Sequence, residues 1–247
     1  LIFWKGYLDM RSKFAAAAWL LSLLPLAAHA APGDSDLAQA RELLSLSQSS
    51  IKDYDLLTTQ GGTDPALQTQ FVNYVTFARE ALPALRRSAE EGNAAGQYLL
   101  AMTLRIPSVG PSEKQEAVCD LLMRSAKQNF LPAALVGPSI CQEQMAPQDM
   151  QGGLKQAIEQ APRHAAYYPM QSPAYRLCVH NQRAAFPLPE LTQAEFEAEA
   201  YFELARRTKA VSRRGQEERL RYLRLAMERD CEGAKSAVAA LEARLKS

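Results

Sequence analysis

Residues 87–101 read RSAEEGNAAGQYLLA, and residues 124–138 read RSAKQNFLPAALVGP. Both begin Arg-Ser-Ala, both place a turn residue at the sixth position (Gly92, Asn129), and both continue with small and apolar residues in register. The offset from Arg87 to Arg124 is 37 residues. A weaker third copy, LAMERDCEGAKSAVA, starts at Leu225, with Ala226 opposite Ser88 and Ser125 and Asp230 in the turn position. Self-similarity at such a period marks a stack of like units, each too small to bury its own apolar face. The small residues have a physical reason to recur. Alanine or serine at Ser88, Ala89, Ala101, Ser125 and Ala126 lets helix axes approach to about 8–10 Å. Glycine and asparagine enter the left-handed conformation that ends a helix.

Working outward, the remaining sequence reads as helix after helix. Alanine, leucine, glutamine and glutamate dominate, and no segment alternates with period two over a strand's length. A first helix is expected over about 35–50. Asp64 as N-cap with Pro65 behind it starts a second, which Pro83 kinks or restarts before Glu91. Further helices are expected over about 94–105, from a Ser112/Gln115 capping box to about 128, over 131–144 and over 147–160. Residues 161–191 break the rhythm, with Pro162, Pro169, Pro173, Pro187 and Pro189 among Tyr167, Tyr168 and Tyr175. A short helix around 174–185 is expected there. A Thr192/Glu195 capping box restores the helical pattern to about 209. Two more helices follow, over about 216–229 and 231–245.

The segment Ser88-Ala89-Glu90-Glu91-Gly92, followed by Ala94-Ala95-Gly96-Gln97-Tyr98-Leu99-Leu100-Ala101, resembles the Sel-one-like repeats, relatives of the tetratricopeptide repeats. Their pattern is a helix ending Ala-Ala-Glu-x-Gly, then a helix beginning Ala-x-Ala-x-Tyr-x-Leu-Gly. The family's Gly-Val loop is inverted here as Val109-Gly110, and the tryptophan of its next helix is absent from Ala117-Val118-Cys119-Asp120-Leu121. The resemblance covers residues 84–140 and, more weakly, 216–246. It implies an all-α array of helical hairpins, an α/α solenoid, in an adaptor or assembly role in the bacterial envelope. On this reading the chain divides into 1–30, 31–82 (N-terminal helices), 83–145 (repeats), 146–191 (irregular Pro/Tyr-rich connection) and 192–247 (C-terminal helices with a degenerate repeat).

The first thirty residues suggest the compartment. Arg11 and Lys13 precede an apolar run from Phe14 to Ala28, and Ala28-His29-Ala30 places small residues at −3 and −1. This is the order of a secretory signal peptide, cleaved before Ala31 into the periplasm. Removing Lys5, Arg11 and Lys13 from 28 cations and Asp9 from 27 anions leaves 25 against 26, so the mature part offers no strong field for nucleic acid or an anionic membrane. All four cysteines, Cys119, Cys141, Cys178 and Cys231, lie beyond the signal. In an oxidising compartment an even count reads as two disulfides, with three pairings open. A turn near Asn129 would set Cys119 and Cys141 at nearly the same height on antiparallel helices, which favours that pair and leaves Cys178 with Cys231. No cysteine directly follows the signal, so no lipid anchor is expected.

Nothing in the chain carries chemistry with specificity. Gly-x-Ser-x-Gly, His-Glu-x-x-His and Cys-x-x-Cys are all absent. The mature histidines, His164 and His180, have no metal-ligand spacing. Glu90-Glu91 and Glu217-Glu218 are adjacent pairs that point apart on a helix. No catalytic, cofactor or metal residue is therefore assigned. Tyr167, Tyr168 and Tyr175 are the candidates for contact with a partner protein or peptide, as aromatics on an irregular segment. The function expected is a periplasmic interaction scaffold. The alternative is an enzyme acting on cell-wall or polysaccharide substrates: a cleft lined by a buried, hydrogen-bonded glutamate would favour the enzyme, and a smooth groove lined by Tyr, Asn and Arg the scaffold.

Overall fold

Nine α-helices follow one another among the described residues of the computed structural model, which are 31–106, 109, 115–142, 147–171, 176–179 and 189–246. They are α1 (Asp34–Thr59), α2 (Asp64–Glu90), α3 (Ala94–Leu104), α4 (Gln115–Lys127), α5 (Leu131–Ile140), α6 (Pro147–Gln160), α7 (Gln193–Arg207), α8 (Arg213–Met227) and α9 (Glu232–Lys246). A 3-10 turn, Ala161–Tyr167, continues α6. Two-residue strands β1 (Met170–Gln171) and β2 (Glu190–Leu191) pair antiparallel. Residues from Pro32 onward form one compact unit. The signal-peptide expectation, the Ser112 cap and residues 174–175 and 180–185 of the helix expected over 174–185 fall outside the described residues, and residues 176–179 of that expected helix are not helical.

The N-terminal hairpin differs most from the sequence reading. Helix α1 runs nine residues past Ser50, because Ile51 is buried and the ring of Tyr54 meets that of Phe71 on α2 at 6.1 Å. Helix α2 neither breaks nor restarts at Pro83. Pro83 lies on the exposed face, so the ring and the lost hydrogen bond meet water, while Ala81, Leu82, Ala84 and Leu85 around it are buried. Burial of both flanks outweighs the local cost of proline.

Three hairpins, α2–α3, α4–α5 and α8–α9, close with the same turn. Gly92, Asn129 and Asp230 all adopt positive φ, at 90°, 60° and 62°. The following amide reaches back five residues each time: Asn93 N to Ser88 O at 3.1 Å, Phe130 N to Ser125 O at 3.3 Å, and Cys231 N to Ala226 O at 3.1 Å. The turn residue's own amide bonds the carbonyl three back, at Ala89, Ala126 and Met227. This double bond pattern is the Schellman motif, which satisfies carbonyls orphaned at a helix end. Ser88, Ser125 and Ala226, the residues whose carbonyls accept the long bond, are each fully buried, whereas Ala126 is half-buried at the edge of the core.

The residue after each turn joins its hairpin to a distant part of the chain. Asn93 caps α3 by accepting from Gly96 N at 3.0 Å, and its Nδ2 donates to Asp34 Oδ1 at 2.8 Å and Pro32 O at 3.2 Å. Phe130 packs its ring against Tyr98, His164, Tyr167 and Tyr168. Cys231 is bonded to Cys178. The second disulfide joins Cys119 on α4 to Cys141 at the end of α5, within one hairpin. Equal height in the hairpin favours Cys119–Cys141, and Cys178–Cys231 is the pair that it leaves.

Candidate functional site

A cleft of about 400 Å³ opens between α3, α4, α5 and α7. Its floor is apolar: Met102 comes from α3, Leu135, Val136 and Ile140 from α5, and Leu177 from the segment ahead of Cys178. The polar lining is Arg105, Gln115, Ser139, Glu199, Glu203, Arg206 and Arg207. Helix α7 supplies four of these because positions 199, 203, 206 and 207 recur at spacings of three and four, which share a helix face.

Both carboxylates are already engaged. Glu199 is 1% exposed. It accepts from Arg176 Nε at 2.9 Å, Leu177 N at 2.6 Å and Cys178 N at 3.2 Å. Buried charge is tolerable only when paired and hydrogen-bonded, and here three N–H donors from one short strap meet that need. Glu199 thereby fixes Leu177 as a wall of the cleft. Gly233 N adds a bond to Cys178 O at 3.2 Å, and a methyl on Gly233 would meet Leu177 O at 2.6 Å, so the strap also lies tight on the start of α9. Glu203 accepts from Arg207 Nε at 2.6 Å and Arg206 Nη1 at 3.1 Å.

The remaining polar groups are arranged differently. Gln115 donates through Nε2 to Ile140 O at 3.0 Å, which ties α4 to the end of α5 and leaves Oε1 as an acceptor. Ser139 donates to Val136 O at 2.8 Å. Arg105, exposed just past α3, has no hydrogen bond or ion pair among the described residues. Nor does any group of three His, Cys, Asp or Glu among them have the arrangement of a metal site.

The tyrosines singled out from the sequence lie elsewhere. Tyr167 and Tyr168 are both half-buried. Tyr167 donates to Asp34 Oδ1 at 2.9 Å, and its ring stacks on His164 with centroids 6.2 Å apart. The Tyr168 ring lies between Phe130 and Phe196 at 6.3 and 5.8 Å, with its hydroxyl buried and without a partner among the described residues. Burial raises the pKa of both phenols. Tyr175 lies outside the described residues. The structure thus brings Tyr167 and Tyr168 together with the core aromatics and not with the cleft.

The cleft residues were missed in the sequence because they are scattered over α3, α4, α5 and α7. One signal was available: Glu199 sits between Ala198 and Ala200 and three residues past Phe196, so it falls among small and apolar residues on the helix. No protein-family model, curated protein or solved structure matches the chain.

Proposed function

We propose that the chain is an exported, periplasmic scaffold of Sel-one-like helical hairpins, stacked as a solenoid, that binds a segment of another protein. The observation that carries this reading is the cleft: an apolar floor rimmed by arginine, glutamine and serine, in which both carboxylates are already held by N–H donors. Such a surface suits recognition, where a buried apolar contact supplies affinity and a few fixed polar groups supply orientation. Three hairpins with one turn geometry support the repeat reading. Two disulfides support an oxidising compartment. Among the described residues no helix is long and apolar enough to cross a membrane.

The test places a photo-crosslinking amino acid at Ser139 in cells and identifies the adduct after irradiation of the intact envelope. A discrete protein adduct, lost when Leu135→Asn removes part of the floor, is the expected result. Labelling that is indifferent to Leu135 would overturn the reading.

One observation favours the alternative of an enzyme on cell-wall or polysaccharide substrates: Glu199 is a buried, hydrogen-bonded glutamate in a cleft. Glycoside hydrolysis commonly needs a second carboxyl across the scissile bond and a carboxyl with a proton to give. Here Glu203 is clamped by two arginines, and the Glu199 oxygens face the strap's amides. Release of reducing ends from peptidoglycan by the wild type and not by Glu199→Gln would establish the enzyme.

A further inference from the structure

Resting on the reading of the cleft as a peptide site, we propose that its occupant is an extended acidic segment of the partner protein, with an aliphatic side chain on the floor and a neighbouring carboxylate on Arg105. The charge arrangement points this way. Glu199 is matched by Arg176 at 2.9 Å. Glu203 is held by two arginines, Arg206 at 3.1 Å and Arg207 at 2.6 Å, so neither carboxylate of the cleft is left to repel an anion. Arg105 has no anion beside it among the described residues. The described rim therefore offers an unmatched cation although the protein's formal net charge is only +1.

Arg105 stands at the edge of an apolar floor made by Met102, Leu135 and Ile140, where the local dielectric is lower than at an open surface and a charge pair is correspondingly stronger. A guanidinium is also the cation best matched to a carboxylate, through two parallel N–H bonds.

Two features favour a peptide over a simple anionic lipid or a free phosphate. With Nε2 committed to Ile140 O, Gln115 presents Oε1 as an acceptor. With its proton committed to Val136 O, Ser139 presents the lone pairs of its hydroxyl. Acceptors on the rim call for donors on the ligand. A peptide backbone brings a row of N–H groups, whereas a fatty acid tail brings no donor and a hydrogen phosphate dianion a single O–H. The volume, about 400 Å³, falls within the usual range of about 300–1,000 Å³ for ligand sites and leaves room for a few side chains.

A phage-displayed library of random heptapeptides, selected on the oxidised protein, tests the assignment. Clones are scored as cleft-dependent when they lose binding to Ser139→Trp, which plugs the cleft from an exposed position. Leu135→Asn serves as a second cleft variant, and circular dichroism checks the fold of each. Cleft-dependent clones are expected to carry Asp or Glu beside Leu, Ile, Val or Met. Arg105→Glu should weaken them by about tenfold or more, equivalent to about 1.4 kcal/mol. Arg105→Lys should weaken them much less. Neutral or basic cleft-dependent clones, or indifference to Arg105→Glu, would overturn the acidic assignment while leaving the peptide reading intact. Recovery of no cleft-dependent clone would overturn both.

Discussion

Gly92, Asn129 and Asp230 hold one backbone conformation with three different side chains, so they separate the demand of the turn from the means of meeting it. A methyl on Gly92 would meet no atom within 4 Å, which leaves only the left-handed backbone to resist a substitution. Gly92→Ala should therefore cost about 1–2 kcal/mol, the penalty of an L-residue in that region, with no packing contribution. Asp230→Gly relieves the same penalty and should raise stability by up to about 1 kcal/mol, less what glycine gains in the unfolded chain. Urea midpoints measure both, and equal shifts of one sign would contradict the argument. His164 is a second residue-scale case. Burial against Phe130 and Tyr167 holds its imidazole below the ordinary histidine value, more than its contact with Gln128 O raises it. A histidine lowered in the fold takes up its proton more readily when unfolded. Its contribution is thus complete above about pH 6.5 and is lost as pH falls below that value. Between pH 7.5 and 5, the wild-type melting temperature should fall further than that of His164→Gln.

At the scale of elements, local chemistry was legible wherever it decides the outcome. The Thr192/Glu195 capping box forms in both directions, with Glu195 N to Thr192 Oγ1 at 3.3 Å and Thr192 N to Glu195 Oε2 at 2.8 Å. Helix α2 starts where Asp64 and Pro65 predict, but Thr63 and not Asp64 is its N-cap, with no side-chain cap bond, and the positive-φ turns sit where Gly92 and Asn129 place them. What the sequence concealed depends on partners far along the chain. The extension of α1 rests on α2, and the continuity of α2 through Pro83 rests on burial of both flanks. The cleft was illegible because its lining comes from four helices and a strap that only the fold assembles. Glu199 is the clearest instance, since its donors at 176–178 lie more than twenty residues before it. Glu199→Gln exchanges charge-assisted hydrogen bonds for neutral ones and removes the carboxylate charge to which Arg176 donates. The expected cost is about 1.5–3 kcal/mol. Amide exchange at Leu177 and Cys178 should quicken at the same time, with α7 keeping its protection. Unchanged exchange at those two amides would show that the disulfide alone holds the strap.

For the whole molecule, the two disulfides constrain successive stretches and do not overlap: one closes a separation of 22 residues, the other 53. On chain entropy, each restricts the unfolded ensemble by roughly 3–4 kcal/mol. The bonds join different elements, α4 with the end of α5 in one case and the strap with the start of α9 in the other, so their effects should add when both are removed. The sum, about 6–8 kcal/mol, is comparable to the roughly 5–15 kcal/mol that holds a native domain together. Reduction therefore threatens the fold as a whole, and it also frees the Cys178 end of the strap that carries Leu177 into the cleft. For a domain of this size each kcal/mol corresponds to about 2–4 °C. Thermal melts with and without a strong thiol reductant should differ by about 12–30 °C, with four thiols titratable after reduction and none before. The Cys119→Ala/Cys141→Ala and Cys178→Ala/Cys231→Ala pairs should each give about half of that shift. A reduced protein that melts within a few degrees of the oxidised one would show that helix packing alone suffices. It would also remove the energetic reason for the chain to fold in an oxidising compartment.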